Sequence, residues 1–321
     1  MPWATTWILP WPVHRSELMP TLAEIMRRAH RCGIAVPAFN VPNLAMLEPI
    51  VCAAIDEDVF VLIETARLEW IKFESRGPAE VAAEFGRWRS CDHVRLHLDH
   101  VPAVDEDGQR VDYLPIFRRA IELGYDSVMI DASRLPLDEN IEATREVVKI
   151  ADAANIPVEA ELGAVWGHEA GPATPYEELF SSGLGFTDPA QARRFVEETG
   201  CDWLSVAVGN IHGAVAAGLR DKKKVEARLN LERLDELCRV TGIPLVLHGG
   251  SGIRQDCLLE AMKHGIAKIN IATEIRQPFE KALEETESLV KAQQTVYDRT
   301  VWMLRDHLQI RGTARLVAPA G

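Results

Sequence analysis

Residues 244–271 read PLVLHGGSGIRQDCLLEAMKHGIAKINI. The apolar run 245–248 ends in a histidine, Gly249-Gly250-Ser251-Gly252 makes a tight turn, 255–264 carries helical periodicity, and 267–271 is again apolar and strand-like. Strand, turn, helix and strand in that order describe a parallel crossover, since antiparallel neighbours would be joined directly by a hairpin. Outward from this unit the order repeats. Strands are predicted at 36–39, 59–64, 94–98, 127–130, 158–162 and 203–208, with helical segments such as 22–31, 44–56, 140–154, 189–199 and 231–241 between them. Many segments close on a residue suited to a left-handed helix cap, as at Gly124, Asn155 and Gly200. Eight strand–helix units in 321 residues predict an α/β chain folded as a single (β/α)8 TIM barrel. The barrel is expected over 19–315, between an N-terminal arm (1–18) and a C-terminal tail (316–321).

A barrel makes a demand on polar residues, because active sites in this fold gather at the C-terminal ends of the strands. Those ends carry Asn40, Glu64, Asp99-His100, Asp131, Glu161, His212, His248 and Asn270 in chain order. A lone histidine or asparagine there is more often a satisfied structural group. Eight strand ends in succession are harder to explain that way. His100, His212 and His248 each follow a short apolar strand, and three neutral imidazoles with one open position are what a catalytic zinc requires. Asp99, beside the first of them, is then a natural proton carrier.

Composition narrows the classes. With 47% hydrophobic residues the chain can bury a large core, and a net charge of −13 argues against a nucleic-acid partner. The run Lys222-Lys223-Lys224 lies among acids and reads as a solvated loop. No apolar stretch approaches the ~20 residues of a spanning helix, so no membrane partner is expected. Six scattered cysteines without a C-x-x-C pair read as reduced thiols of a cytoplasmic protein. The arm, with Trp3, Trp7 and Trp11, lacks the basic start and long apolar core of a signal peptide.

Six motifs also resemble one family. They are Ala38-Phe39-Asn40, His97-Leu98-Asp99-His100, Ser127-Val128-Met129-Ile130-Asp131, Glu159-Ala160-Glu161-Leu162-Gly163, Leu247-His248-Gly249-Gly250-Ser251-Gly252-Ile253 and Lys268-Ile269-Asn270-Ile271-Ala272-Thr273-Glu274. In order and spacing, from about Leu22 to about Arg315, the chain resembles the class II, metal-dependent fructose-bisphosphate and tagatose-bisphosphate aldolases. The resemblance implies that His100, His212 and His248 bind one catalytic Zn²⁺, with a second divalent or a monovalent cation as a further option. It implies that Glu161 and Asp131 stand near that metal, either supporting its ligands or forming an alternative metal position. It implies that zinc polarises a ketose carbonyl and stabilises an enediolate. Asp99 would handle the hydroxyl proton of the departing aldehyde, and Glu169 in Trp166-Gly167-His168-Glu169 would act on the enediolate carbon. The following loop, 170–185, reads equally as a closing lid or as an insertion without order.

The Gly-rich turn between strand and helix can hold an anion on its backbone N–H groups. Gly213, Gly249, Gly250, Ser251, Asn270 and Thr273 match the family's site for one substrate phosphate, and Asn40 is placed with the substrate contacts. Other positions depart from the pattern: Val101 for a glycine, Ala132-Ser133-Arg134 for Gly-Ser-His, Ala214-Val215-Ala216 for an aromatic, and Glu64-Thr65-Ala66-Arg67 for a Gln-x-Ser segment. These changes fall on the substrate side and spare the metal ligands. They point to a sugar phosphate other than fructose 1,6-bisphosphate, or to an acidic sugar, bound through some of Arg67, Arg134, Arg254 and Arg276. Another lyase or epimerase using the same chemistry, or a non-catalytic partner subunit, are the rival readings. A long helical segment, 274–307, offers Phe279, Leu283, Leu289, Val296, Val301 and Leu304 as apolar faces, and a homodimer or homotetramer is expected.

Overall fold

In the computed structural model the described residues are 20–73, 75–89, 91–163, 176–210, 227–250 and 252–319. Eight parallel strands close on themselves in the order β1 to β8, with β8 pairing back onto β1. They are β1 (Val36–Asn40), β2 (Val61–Ala66), β3 (Val94–Pro102), β4 (Ser127–Asp131), β5 (Val158–Leu162), β6 (Trp203–Val206), β7 (Leu245–Leu247) and β8 (Ile266–Ile271). Helix α1 (Leu22–Cys32) precedes β1, and the crossovers hold α2 (Leu47–Asp56), α3 (Arg67–Lys72), α4 (Pro78–Phe85), α5 (Leu114–Leu123), α6 (Leu137–Asp152), α7 (Tyr176–Ser182), α8 (Pro189–Thr199), α9 (Leu231–Thr241) and α10 (Gln255–Lys263). The (β/α)8 expectation is therefore met.

Local chemistry explains where helices begin and stop. Thr21 caps α1 in a reciprocal box with Glu24, Asp188 caps α8 by accepting from Gln191 N, and Asn230 caps α9 through Arg233 N. Gly124 and Gly200 end α5 and α8 in the left-handed region, with φ of 79° and 71°.

Side chains inside the barrel change character from one end to the other. At the N-terminal end Ala38, Leu62, Trp203, Val246 and Ala267 form a dry plug against Leu22, Ile25, Met26 and Ala29 of α1. The chain beyond residue 315 joins this plug, where Val317 and Ala318 are buried. In the middle lie Glu64, His97, Glu159 and Lys268, all fully buried. At the C-terminal end stand Asn40, Asp99, Glu161, His248 and Asn270. A larger apolar layer, including Phe39, Ile63, Leu96, Leu98, Ile130, Leu204 and Ile269, packs the barrel's outer face against the helices.

One element gives detail to the expected extended C-terminal helices, and another departs from the expectation. The segment 274–307 forms two helices, α11 (Thr273–Thr286) and α12 (Leu289–Trp302), followed by a wider helical turn (Met303–His307). Glu287 takes a left-handed conformation (φ 50°) and Ser288 caps α12, so the chain folds back and α12 also packs on α2. Phe279, Val296 and Leu304 are thereby buried within this chain, whereas Leu289 stays exposed. The third strand runs four residues past its predicted end, to Pro102. Its register against β4 shifts between Leu98 and Val101, and His100 adopts φ +25°. Successive residues of a regular strand point to opposite faces. The bulge here lets neighbouring Asp99 and His100 both serve the interior.

Candidate active site

The C-terminal mouth gathers Asn40 from β1, Asp99 and His100 from β3, Asp131 from β4, Glu161 from β5, His248 after β7 and Asn270 from β8. His100 Nε2 and His248 Nδ1 face each other at 2.6 Å, with ring planes at 80°. The far nitrogen of each ring meets a carboxylate: His100 Nδ1 lies 3.2 Å from Asp131 Oδ2, and His248 Nε2 lies 2.8 Å from Glu159 Oε1. A carboxylate only accepts, so each far nitrogen carries a hydrogen, and each facing nitrogen is the one left to bind a proton or a metal. At 2.6 Å one proton is shared between them, and because both rings turn a nitrogen toward the same point the pair offers two imidazole donors to a metal ion that takes the proton's place. The donor chemistry therefore fits a metal ion, and Asp99, His100 and His248 form one group of ligand atoms close enough to hold one. His100, Asp131 and Glu161 form another, the alternative position named above.

Charges around the pair are unequal. Burial disfavours the charged imidazole at His100, but Asp99, Asp131 and Glu161 outweigh it and hold its pKa well above the usual value. At His248, burial and then the charge on His100 hold it well below. Burial pushes the Asp131 carboxyl up, yet its bonds to His100 and to Ser133 N and Oγ bring it well below the usual range. Glu161 goes the other way: burial, then the Asp131 charge, push it up to about 8, and Ser205 Oγ donates to it at 3.3 Å.

Asp99 is held by two amides. Asn40 Nδ2 donates to Oδ2 and Asn270 Nδ2 donates to Oδ1, each at 3.0 Å. Both asparagines, expected to face substrate, turn onto this carboxylate. Burial would raise its pKa, but the charges of His100 and Lys268 more than offset this and it lies below the ordinary value. Asp99 is thus a buried carboxylate fixed at the barrel mouth and favoured in its ionised form.

Beneath this site lies a tier of which sequence reasoning singled out only Glu64, and that as a strand end. Lys268 Nζ sits 2.8 Å from Glu159 Oε2 and 3.3 Å from Glu64 Oε2, and Trp203 Nε1 donates to Glu159 Oε2 at 2.7 Å. Burial, then the Asp99 charge, push the Glu64 carboxyl well above its usual value. The one signal in the sequence was a charged residue at alternate positions of an apolar strand, as in Val-Glu-Ala-Glu-Leu. Glu69 was missed as well. Buried one turn into α3, it accepts from Ala66 N at 2.9 Å, and burial pushes it up to about 8.

At the expected phosphate turn, a Cβ on Gly250 would meet Ile269 Cγ2 at 2.8 Å and Asn270 O at 3.2 Å, so the loop lies directly against β8. Thr273 opens α11 beside it. His212, Gly213, Glu169, Ser251, the loop 164–175 and the arm lie outside the described residues. Of the four candidate arginines, Arg254 is paired with Asp256, and Arg276 with Glu280 while stacking over Phe73. Arg67, directly after β2, and Arg134, after β4, both reach Asp105, the first at 3.8 Å to its carboxylate and the second at 2.8 Å to its carbonyl.

Closed barrel, facing imidazoles and a fixed carboxylate together define a barrel enzyme with a candidate metal centre at its C-terminal rim. The chain belongs to the class-II fructose-bisphosphate aldolase family, whose family model matches residues 20–314. It is similar to the 6-phospho-5-dehydro-2-deoxy-D-gluconate aldolase of Bacillus licheniformis, with 33% identity over 285 residues, 88% of each chain. Among solved structures it is similar to the YdjI aldolase of Escherichia coli K12 (29% identity, TM-score 0.72, covering 91% of this chain and 97% of that one). It shares its fold with the fructose-bisphosphate aldolase of Campylobacter jejuni (21% identity, TM-score 0.67, 90% and 94% covered). The chain is thus an aldolase, a carbon–carbon lyase, of a family that is generally zinc-dependent.

Proposed function

We propose that the chain is a zinc-dependent aldolase acting on a ketose that carries one phosphate and, at its other end, a carboxylate. The observation that carries the zinc reading is the pair of imidazole nitrogens turned toward one point, each ring backed by a carboxylate on its far side. His100 and His248 would hold the ion, with His212 as the third imidazole and Asp131 orienting His100. A bound zinc supplies Lewis-acid polarisation of the ketose carbonyl.

The chain's own groups do the rest. Asp99 Oδ atoms, pinned by Asn40 and Asn270, take the proton from the hydroxyl of the departing aldehyde. Burial of Asp99 keeps water from competing for that proton. Glu169 is assigned the proton at the carbon left behind. Gly249, Gly250 and Ser251, with Gly213 and Thr273, would take the phosphate on the β7–β8 side. Arg67 and Arg134 stand on the β2–β4 side, so the two anionic ends would straddle His100 and His248. Support for an acidic end also comes from the relative, whose name denotes a phosphorylated gluconate. Metal analysis and a panel of ketose bisphosphates, ketose monophosphates and their terminal-carboxylate analogues test this. Turnover confined to fructose 1,6-bisphosphate defeats the acidic end, and absence of both zinc and turnover defeats the whole reading.

A further inference from the structure

Glu159 has no place in the reaction just described, yet both of its oxygens are engaged. It lies on β5 one inward position below Glu161 and is fully buried. Oε2 accepts from Trp203 Nε1 on β6 and from Lys268 Nζ on β8, and Oε1 accepts from His248 Nε2 after β7. Indole and ammonium nitrogens can only donate here. With two donors fixed on Oε2, the carboxylate is held in one orientation, and Oε1 presents an acceptor to the imidazole.

A buried ion pair seldom repays its desolvation better than well-packed apolar side chains would. Directly below this pair the barrel interior is filled by residues that pack without charge, such as Ala38, Leu62, Val246 and Ala267. Stability alone therefore gives little reason for a lysine and two glutamates in the barrel's centre. We propose that Glu159, held by Lys268 and Trp203, is a positioning residue that selects the His248 tautomer with hydrogen on Nε2 and the lone pair on Nδ1. This is the tautomer whose free nitrogen points at His100 Nε2. The proposal rests on the reading of His248 as a metal ligand, and it assigns to the ionic tier the job of preparing that ligand.

Glu159→Gln tests it sharply, because the variant keeps the shape and changes only which atoms accept. Its single carbonyl oxygen is claimed by Lys268 and Trp203, which leaves an N–H group facing His248 Nε2. His248 must then accept at Nε2 and carry its hydrogen on Nδ1, where it cannot bind a metal. Loss of such a supporting partner typically weakens metal affinity ~10- to 100-fold. The zinc dissociation constant, measured by competition with a chromophoric chelator, should rise by that factor while the melting profile in chelator keeps its cooperativity. Nitrogen-15 NMR of the zinc-stripped protein should show the His248 hydrogen moving from Nε2 to Nδ1. With zinc saturating, kcat should recover far more than in a variant lacking His248.

Two failures are distinguishable. Wild-type protein that binds no zinc overturns the reading of His248 as a ligand. Wild-type protein that binds zinc, beside a folded Glu159→Gln variant that binds it within threefold as tightly, overturns the role of Glu159. If Glu159→Gln does not fold, Trp203→Phe removes one donor and spares the ion pair. It should weaken zinc severalfold, and unchanged zinc affinity there overturns the proposal equally.

Discussion

Asp99→Asn separates holding the site together from moving a proton. Each Asp99 oxygen accepts one amide hydrogen at 3.0 Å, so an asparagine puts an NH2 group against one of its two partners. Asn270 can absorb the change, because its Oδ1 has no hydrogen-bond partner among the described residues and turning its amide over supplies the acceptor, at the loss of the 3.4 Å contact between its Nδ2 and His248 Nδ1. The fold then exchanges charge-assisted hydrogen bonds for neutral ones, at a cost of about 1–2 kcal/mol. The reaction loses its base. General-base catalysis contributes roughly 10²- to 10⁴-fold, or about 3–5 kcal/mol of barrier. We therefore expect kcat/KM in the cleavage direction, followed by enzymatic reduction of the released aldehyde, to fall by two to four orders of magnitude. Urea unfolding should show only the small loss in stability, and elemental analysis should show zinc unchanged. A fall below tenfold with zinc retained refutes Asp99 as the base, and zinc lost in proportion to activity makes it a structural residue.

Glu69 should make stability depend on pH. Its carboxyl titrates near 4.5 in the unfolded chain and at about 8 in the folded one. Below both values the two states bind the proton alike, and between them only the folded state keeps it, so stability falls as pH rises from about 4.5 to 8. Glu69→Gln should remove part of that slope, which is at most about 1.4 kcal/mol per pH unit. Urea titrations at pH 5 and pH 8 that give wild type and variant the same difference refute this. Gly250→Ala forces a Cβ to within 2.8 Å of Ile269 Cγ2, and should cost about 1–3 kcal/mol and raise KM for phosphorylated substrate more than it lowers kcat. Removing metal with dipicolinate should abolish turnover and lower the melting temperature, with zinc restoring both. Full activity in the stripped protein overturns the metal reading.

How much was legible depended on whether a signal was local. The eight strands could be read because each is a short apolar run set off by a cap or a turn, and 158–162, 189–199 and 231–241 fall on the observed elements to the residue. The polar strand ends could be read because polarity at the end of an apolar run stands out. The extension of β3 could not: Asp99-His100 looked like the close of a strand, since nothing nearby indicates that polar residues continue inward against partners from β1 and β8. The ionic tier was hidden for the same reason. Lys268 and Glu159 are 109 residues apart, and each looks like an isolated charge until the barrel closes. In the C-terminal segment the break was local and readable, a serine capping Lys291 N, but the helical period ran through it.

The backbone at His100 sets two selective pressures against each other. A non-glycine residue at φ +25° costs on the order of 1–3 kcal/mol, which a residue without a Cβ would recover. The histidine offsets that strain through what its ring meets, Asp131 and His248 directly and the charges of Asp99 and Glu161 beside them. His100→Ala and His100→Gly both lose the ring's contacts with Asp131 and His248, but only the glycine relieves the backbone, so in metal-stripped protein the glycine variant should unfold at higher urea than the alanine one. Any replacement for this histidine is therefore judged twice, by the backbone it relaxes and by the carboxylates it leaves without a partner.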